Sequence, residues 1–200
     1  MSSTHVSRNP LRRLARALRH TPDRLLHPHR RRQALARFRE RGLPRTILFV
    51  CLGNVCRSPY AAVSYAAMLP EDAPERAGID SAGFIGPGRP SPTEAIHCAE
   101  RRGLDLTLHR SKLLTIENVG AAELVVVMDR KQKNDILRLY GRPPESVLVL
   151  GDLDPEPIDT RVIRDPWGHP AEVFDASYAR IDRCLRALVE AAGVMATARR

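Results

Sequence analysis

The sequence predicts an α/β domain of three layers, a four-stranded parallel sheet with helices on both faces. Three observations lead there. From Thr46 onward, short apolar runs rich in Val, Ile and Leu alternate with longer polar segments of helical spacing. Some runs, such as Leu124-Val125-Val126-Val127, are apolar at every position, as strands covered on both faces are. The first run, Ile47-Leu48-Phe49-Val50-Cys51, meets a short loop and then a helix start, the order in which α/β sheets build anion sites.

Taken in order, residues 1–44 form a basic extension and residues 45–195 the domain proper. The first 44 residues hold twelve Arg, no Lys and only Asp23 and Glu40 as acids, a net of +10 against +9 for the whole chain. The domain is therefore near neutral, and the basic character belongs to the extension. Leu11, Leu14, Ala15 and Leu18 form a helical stripe flanked by Arg12, Arg13, Arg16 and Arg19. Thr21-Pro22 and His27-Pro28 are expected to break that helix, with a second piece around Ala34, Leu35 and Phe38. Two readings stand. One is a mobile, solvated tail, or an upstream stretch translated from an early start codon. The other is an amphipathic arm for an anionic membrane surface, nucleic acid or an acidic partner.

The strand at Ile47–Cys51 leads into Leu52-Gly53-Asn54-Val55-Cys56-Arg57, and Ser58-Pro59 reads as N-cap and first helical position. Amides of a tight turn point into one concavity, and a helix N-terminus adds partial positive charge. Gly53 and Asn54 tolerate positive φ, so the loop can curl. Arg57 offers a planar fork for two oxygens of a phosphate. Cys51 faces that positive field, which favours the nucleophilic thiolate, and Ser58 can donate a hydroxyl to its sulfur. Nucleophile, oxyanion clamp and helix dipole fall within eight residues. Such a loop suits attack on a tetrahedral oxyanion.

Beyond it, a helix continues to Leu69 and Gly78–Gly83 reads as a second strand. Phe84–Pro92 is a Gly/Pro loop, Thr93–Arg102 a helix closed by Gly103, and Leu104–His109 extended. Leu124–Asp129 is the third strand, residues 130–139 a polar helix, and Val147–Leu150 the fourth strand. Residues 151–170 are a proline-bearing loop. A last helix over Ala171–Ala192 turns Val173, Tyr178, Ile181, Leu185, Leu188 and Val189 inward.

Composition excludes several classes. No apolar run approaches the roughly 20 residues of a membrane span, and the N-terminus lacks a signal-peptide core. Four cysteines without paired spacing argue against a disulfide framework or a zinc site, and no metal or cofactor is expected. A reducing cytoplasm suits a thiolate enzyme, with peripheral membrane attachment through the arm as a variant. A homo-oligomer remains compatible with the chain.

The string Cys51-Leu52-Gly53-Asn54-Val55-Cys56-Arg57-Ser58-Pro59 after a hydrophobic strand resembles the low-molecular-weight protein tyrosine phosphatase family. Ser81-Ala82-Gly83, His109-Arg110-Ser111, Met128-Asp129 and Asp165-Pro166-Trp167 are similar to further family segments. The resemblance covers about residues 45–192; the extension has no counterpart. It implies hydrolysis of phosphotyrosine in a protein substrate through a phosphocysteine on Cys51. Arg57 and the amides of residues 52–57 would hold the equatorial oxygens, with Leu52, Gly53, Asn54, Val55, Cys56 and Ser58 forming the substrate-binding loop. Asp165, on a loop restricted by Pro166, would protonate the leaving phenolate and then activate water. Trp167 would give an aromatic wall. His109 and Asp129 would brace the loop by hydrogen bonds. Cys56 either forms a protective reversible disulfide with Cys51, as the resemblance implies, or is a small buried thiol.

Two rival chemistries use the same kind of loop. A thiol-linked arsenate reductase needs a close pair of resolving cysteines, whereas Cys98 and Cys184 stand alone. Protein-arginine phosphatases resemble this chain but carry Thr before the second loop cysteine. Here that residue is Val55, as in tyrosine-directed members.

Overall fold

The computed structural model describes the backbone of residues 10–193 and the side chains from residue 21 onward. The stripe Leu11, Leu14, Ala15 and Leu18 therefore lies outside the described side chains. The chain runs α1 (Pro10–Arg41), β1 (Ile47–Cys51), α2 (Arg57–Met68), β2 (Ile79–Gly83), α3 (Thr93–Glu100), α4 (Ile116–Ala121), β3 (Leu124–Val127), α5 (Arg130–Tyr140), β4 (Val147–Val149) and α6 (Ala171–Ala191). The four strands pair in the order β2-β1-β3-β4, every pair parallel. This is the expected three-layer α/β/α architecture.

The period of two along β1 sorts its side chains onto opposite faces. Ile47, Phe49 and Cys51 join the core formed with α2, α3 and α6, while Leu48 and Val50 pack with Val119, Ala122 and Ile136 under α4 and α5. Cys51 thus points to the side where α2 begins. The chain leaves β1 toward β2 on one flank and later returns to β3 on the other. The C-terminal end of β1 is therefore the switch point at which a crevice opens.

Five expectations are corrected. Within the described part of the extension, α1 is one helix that runs through Pro22 and Pro28 rather than breaking at them. Each internal proline costs about 3 kcal/mol. Packing offsets that cost: Leu35 and Phe38 are buried in the core, and His27 is buried too. Residues 21–41 are therefore not a solvated tail. Leu104–His109 is irregular rather than extended, with only Leu106 buried. The short helix α4 had no apolar period to announce it; a capping box between Thr115 and Asn118 starts it. On α6, Phe174 rather than Val173 is buried.

The fifth concerns α2. Its N-cap is Cys56, and no side chain caps its first turn. Ser58 lies inside the helix, and its hydroxyl goes elsewhere. The first-turn amides of α2 consequently meet no capping side chain, which leaves them for an anion.

Candidate active site

Cys51 ends β1, buried, with its sulfur accepting a hydrogen bond from the Ser58 hydroxyl at 3.1 Å. The loop that follows is held by Asn54. Asn54 has φ +50°, the left-handed region that Asn tolerates better than most residues. Its Nδ2 donates to Ser58 Oγ and Ser81 Oγ, both at 2.9 Å, and its Oδ1 accepts from the Lys112 amide at 2.8 Å. Its carbonyl accepts from His109 Nε2 at 2.6 Å. Burial pushes the His109 imidazole below its ordinary pKa, although the carbonyl bond pulls the other way, so the neutral ring is the favoured form.

Glycine is required at the neighbouring strand end. A Cβ on Gly83 would lie 2.8 Å from the Asn54 amide nitrogen and 2.9 Å from the Leu52 carbonyl. That close approach lets the amides of Phe84 and Ile85 bond the Leu52 carbonyl at 2.8 and 3.2 Å. Arg89 supports the outer side of the loop, with Nη2 on the Gly53 carbonyl at 2.8 Å and Nε on the Gly86 carbonyl at 2.9 Å.

Arg57 is buried at the mouth of α2. Its Nη1 donates to the Ile163 carbonyl at 3.1 Å, and its Nη2 pairs with the Asp165 carboxylate. Nε is buried and meets no partner among the described residues. The loop that carries Asp165 is itself anchored: the Ile163 amide donates to the Met128 carbonyl at 2.9 Å, and Ser177 Oγ to the Arg164 carbonyl at 2.8 Å. The Trp167 amide bonds Asp165 Oδ1 at 3.3 Å, so the residue turns back on its own loop.

These groups surround a cavity of about 150 Å³ lined by Cys51, Leu52, Gly53, Val55, Cys56, Arg57, Ile85, Arg89, Asp165 and Trp167. Leu52, Ile85 and Trp167 are exposed at its rim, giving apolar walls. Two guanidinium groups face one carboxylate, which favours an anion. Burial raises the Cys56 thiol, and the neighbouring Cys51 and Asp165 raise it further. Cys56 therefore stays protonated. No group of His, Cys, Asp or Glu among the described residues is arranged to hold a metal.

The structure thus brings Cys51, Arg57, Asp165, Leu52, Gly53, Val55, Cys56 and Trp167 to one cavity. Asn54 and Ser58 do not line it. Both are fully buried behind the loop, where they hold its shape and the sulfur rather than a ligand. Asp129 is also corrected: its carboxylate caps α5 on the Gln132 amide at 2.8 Å and makes no bond to the loop.

Several participants were missed in the sequence. Tyr178 OH donates to the Cys56 carbonyl at 3.3 Å and its ring stacks on Tyr60, centroids 3.6 Å apart. Tyr60 in turn donates to Asp182 at 2.8 Å. Arg89, Ser177 and Tyr178 lie far from the loop in sequence, while Tyr60 stands on α2 beside it; only the inward stripe of α6 had marked Tyr178 at all.

A buried cysteine sulfur, a guanidinium and an aspartate on a facing loop meet in one cavity at a parallel-sheet switch point. The model of the low molecular weight phosphotyrosine protein phosphatases matches residues 46–197, and the chain belongs to that family. A relative from Ralstonia solanacearum, the probable low molecular weight protein-tyrosine-phosphatase EpsP, is 33% identical over 145 residues, covering 72% of this chain and 94% of the relative. The crystal structure of the tyrosine phosphatase AmsI from Erwinia amylovora superposes with TM-score 0.66 at 27% identity, covering 76% of this chain and 95% of that one. The YwlE arginine phosphatase from Geobacillus stearothermophilus superposes with TM-score 0.61 at 28% identity, covering 72% and 90%. Backbone similarity therefore spans both phosphoamino acids.

Proposed function

We propose that the chain hydrolyses phosphotyrosine in proteins, with Cys51 as nucleophile, Arg57 as phosphate clamp and Asp165 as general acid and base. The observation that carries this reading is the Ser58-supported Cys51 sulfur at the base of a cavity whose other wall holds Arg57 and Asp165. The Cys51 thiolate attacks phosphorus and the bond to the aryl oxygen breaks. The departing oxygen takes the proton of Asp165, leaving phosphocysteine and phenol. Water then attacks the phosphocysteine, gives a proton to Asp165, and releases phosphate and the thiolate. Charge on the equatorial oxygens is met by Arg57 and the loop amides, which are fixed beforehand by Asn54, His109 and Arg89.

Because substrate phosphate and Asp165 both seek Arg57, binding must exchange one anion for the other. That exchange frees the carboxylate, which takes a proton from solvent and then faces the leaving oxygen as the acid. Val55 supports phosphotyrosine over phosphoarginine: it lines the cavity with methyl groups beside the rim of Leu52, Ile85 and Trp167. A phosphoguanidinium would gain a hydroxyl from Thr there and gains nothing from Val. Cys98 and Cys184 are buried on α3 and α6, positions that support no disulfide relay of the arsenate-reductase kind.

Residues 45–195 carry this activity. The arginines of residues 1–20 supply a charged arm for an anionic surface, such as an acidic membrane leaflet. No helix among the described residues is long and apolar enough to cross a membrane.

The deciding experiment compares kcat/KM on phosphotyrosyl and phosphoarginyl peptides for the native chain and for Cys51→Ser and Val55→Thr. The reading expects preference for phosphotyrosine, no turnover by Cys51→Ser, and a shift toward phosphoarginine in Val55→Thr. Faster cleavage of phosphoarginine by the native chain would reassign the substrate.

A further inference from the structure

The segment leading to Asp165 is gripped from two sides. α6 holds its far end: Arg180 donates to the carbonyls of Thr160 and Val162 at 2.7 and 2.8 Å, and Ser177 to that of Arg164. α1 holds its near end. His27 Nε2 donates to the Asp154 carbonyl at 2.9 Å, and Arg31 Nε to the Leu153 carbonyl at 3.2 Å. Asp23, paired with Arg30, accepts from the Arg161 amide at 3.4 Å, and Arg24 pairs with Asp159. Asp165 follows four residues after Arg161.

These contacts are unequal. The Arg24–Asp159 pair is largely exposed, where solvent screens it. His27 is only 6% exposed and meets its carbonyl out of reach of bulk water, so that bond cannot be exchanged for one to solvent without opening the contact. Asp154 is the most tightly held residue of the segment, with its carboxylate on Arg180 and Arg183 and its carbonyl on His27.

We propose that α1 is a positioning element for the acid loop, with His27 as its principal positioning residue. This rests on the reading of Asp165 as proton donor. Pinning Asp154 shortens the free span of chain before Ile163, where Arg57 and Met128 take hold. Losing the His27 bond leaves Asp154 held through its carboxylate by Arg180 and Arg183, so the stretch from 154 to 159 gains freedom that is passed along the loop to Asp165. Proton transfer is sensitive to such displacement, because a misplacement of about 1 Å costs on the order of 10²-fold in rate.

The test measures kcat/KM of the full chain on aryl phosphates ranging from a dinitrophenyl ester, which leaves without a proton, to phenyl phosphate, which needs one. His27→Leu removes the donor. It is expected to lower kcat/KM on phenyl phosphate about tenfold more than on the dinitrophenyl ester, a fraction of the ~10²–10⁴ a placed acid supplies. His27→Gln keeps an N–H near the position of Nε2 and should restore most of that loss. Arg31→Gln, at the edge of the contact, should steepen the leaving-group dependence in the same direction by less, and serves if His27→Leu fails to fold. In an Asp165→Ala background, His27→Leu should steepen it no further. Equal losses on both esters, or no loss on either, overturn the proposal and leave α1 a scaffold. If Asp165→Ala itself fails to steepen the dependence, the proton-donor reading falls instead.

Discussion

At the scale of single residues, the pairing of Arg57 with Asp165 makes the proposed clamp and the proposed acid competitors for one another. Removing the carboxylate should therefore free the guanidinium. Asp165→Ala is expected to slow esters with poor leaving groups while tightening inhibition by inorganic phosphate roughly two- to fivefold, the range of a half-exposed pair worth ~0.5–1 kcal/mol. Weaker phosphate inhibition in that variant would contradict the competition. Ser58 offers a second case. Its place in the sequence is that of a helix cap, but its hydroxyl bonds Cys51 and the helix begins without it. Ser58→Ala should then cut turnover and also lower the thermal midpoint, because the buried Asn54 Nδ2 loses an acceptor at a cost of about 1–3 kcal/mol; unchanged turnover would show that the sulfur does not depend on this hydroxyl.

His109 supplies the pH dependence at this scale. Its folded pKa lies below the ordinary 6.5 because burial opposes the charged ring. The unfolded chain therefore binds this proton more readily than the folded one. The contribution of His109 to stability is full above about pH 6.5 and is lost as pH falls below it. His109→Gln should flatten that acid limb in urea titrations; an unchanged limb would show that other groups cause it.

At the scale of elements, two joints decide whether the site exists. One is the contact between the end of β2 and the loop after β1. Gly83→Ala would drive a Cβ into the Asn54 backbone, and an overpacked site of that kind costs about 1–3 kcal/mol. Turnover should fall together with the thermal midpoint, and a fully active variant would mean that the loop moves aside freely. The other joint is α1 against the body. Leu35 and Phe38 fill a place that the sheet and α6 leave open. Phe38→Ala should lower stability by about 3 kcal/mol, read as a shift of the urea midpoint. The two internal prolines made this helix illegible from its sequence: local propensity argues against it, and burial overrides propensity.

At the scale of the whole molecule, charge and catalysis are separated along the chain. The net positive charge resides in the first 44 positions, while the remainder is close to neutral. If the arm engages anionic surfaces, binding to phosphatidylserine vesicles should weaken steeply between low salt and physiological ionic strength, where the screening length is about 8 Å. Replacing Arg12, Arg13, Arg16 and Arg19 by Gln should abolish it and spare turnover on small aryl phosphates. Truncation at residue 44 is a poorer test, because it also removes Leu35 and Phe38 from the core.

The chain by itself determined the sheet and the loop after β1, and it marked the residues proposed as nucleophile, clamp and acid. These depend on local rules: a strand period of two, residues that tolerate a curled backbone, and side chains whose chemistry travels with them. Only the folded molecule decided most of what supports them. The Ser58 bond to sulfur was legible because the two lie seven residues apart, whereas the hold of α1 on the segment before Asp165 and of Tyr178 on the loop joins residues far apart in sequence. Hydrogen bonds carry no trace in residue order when their partners lie a hundred positions away, as His27 and Asp154 do.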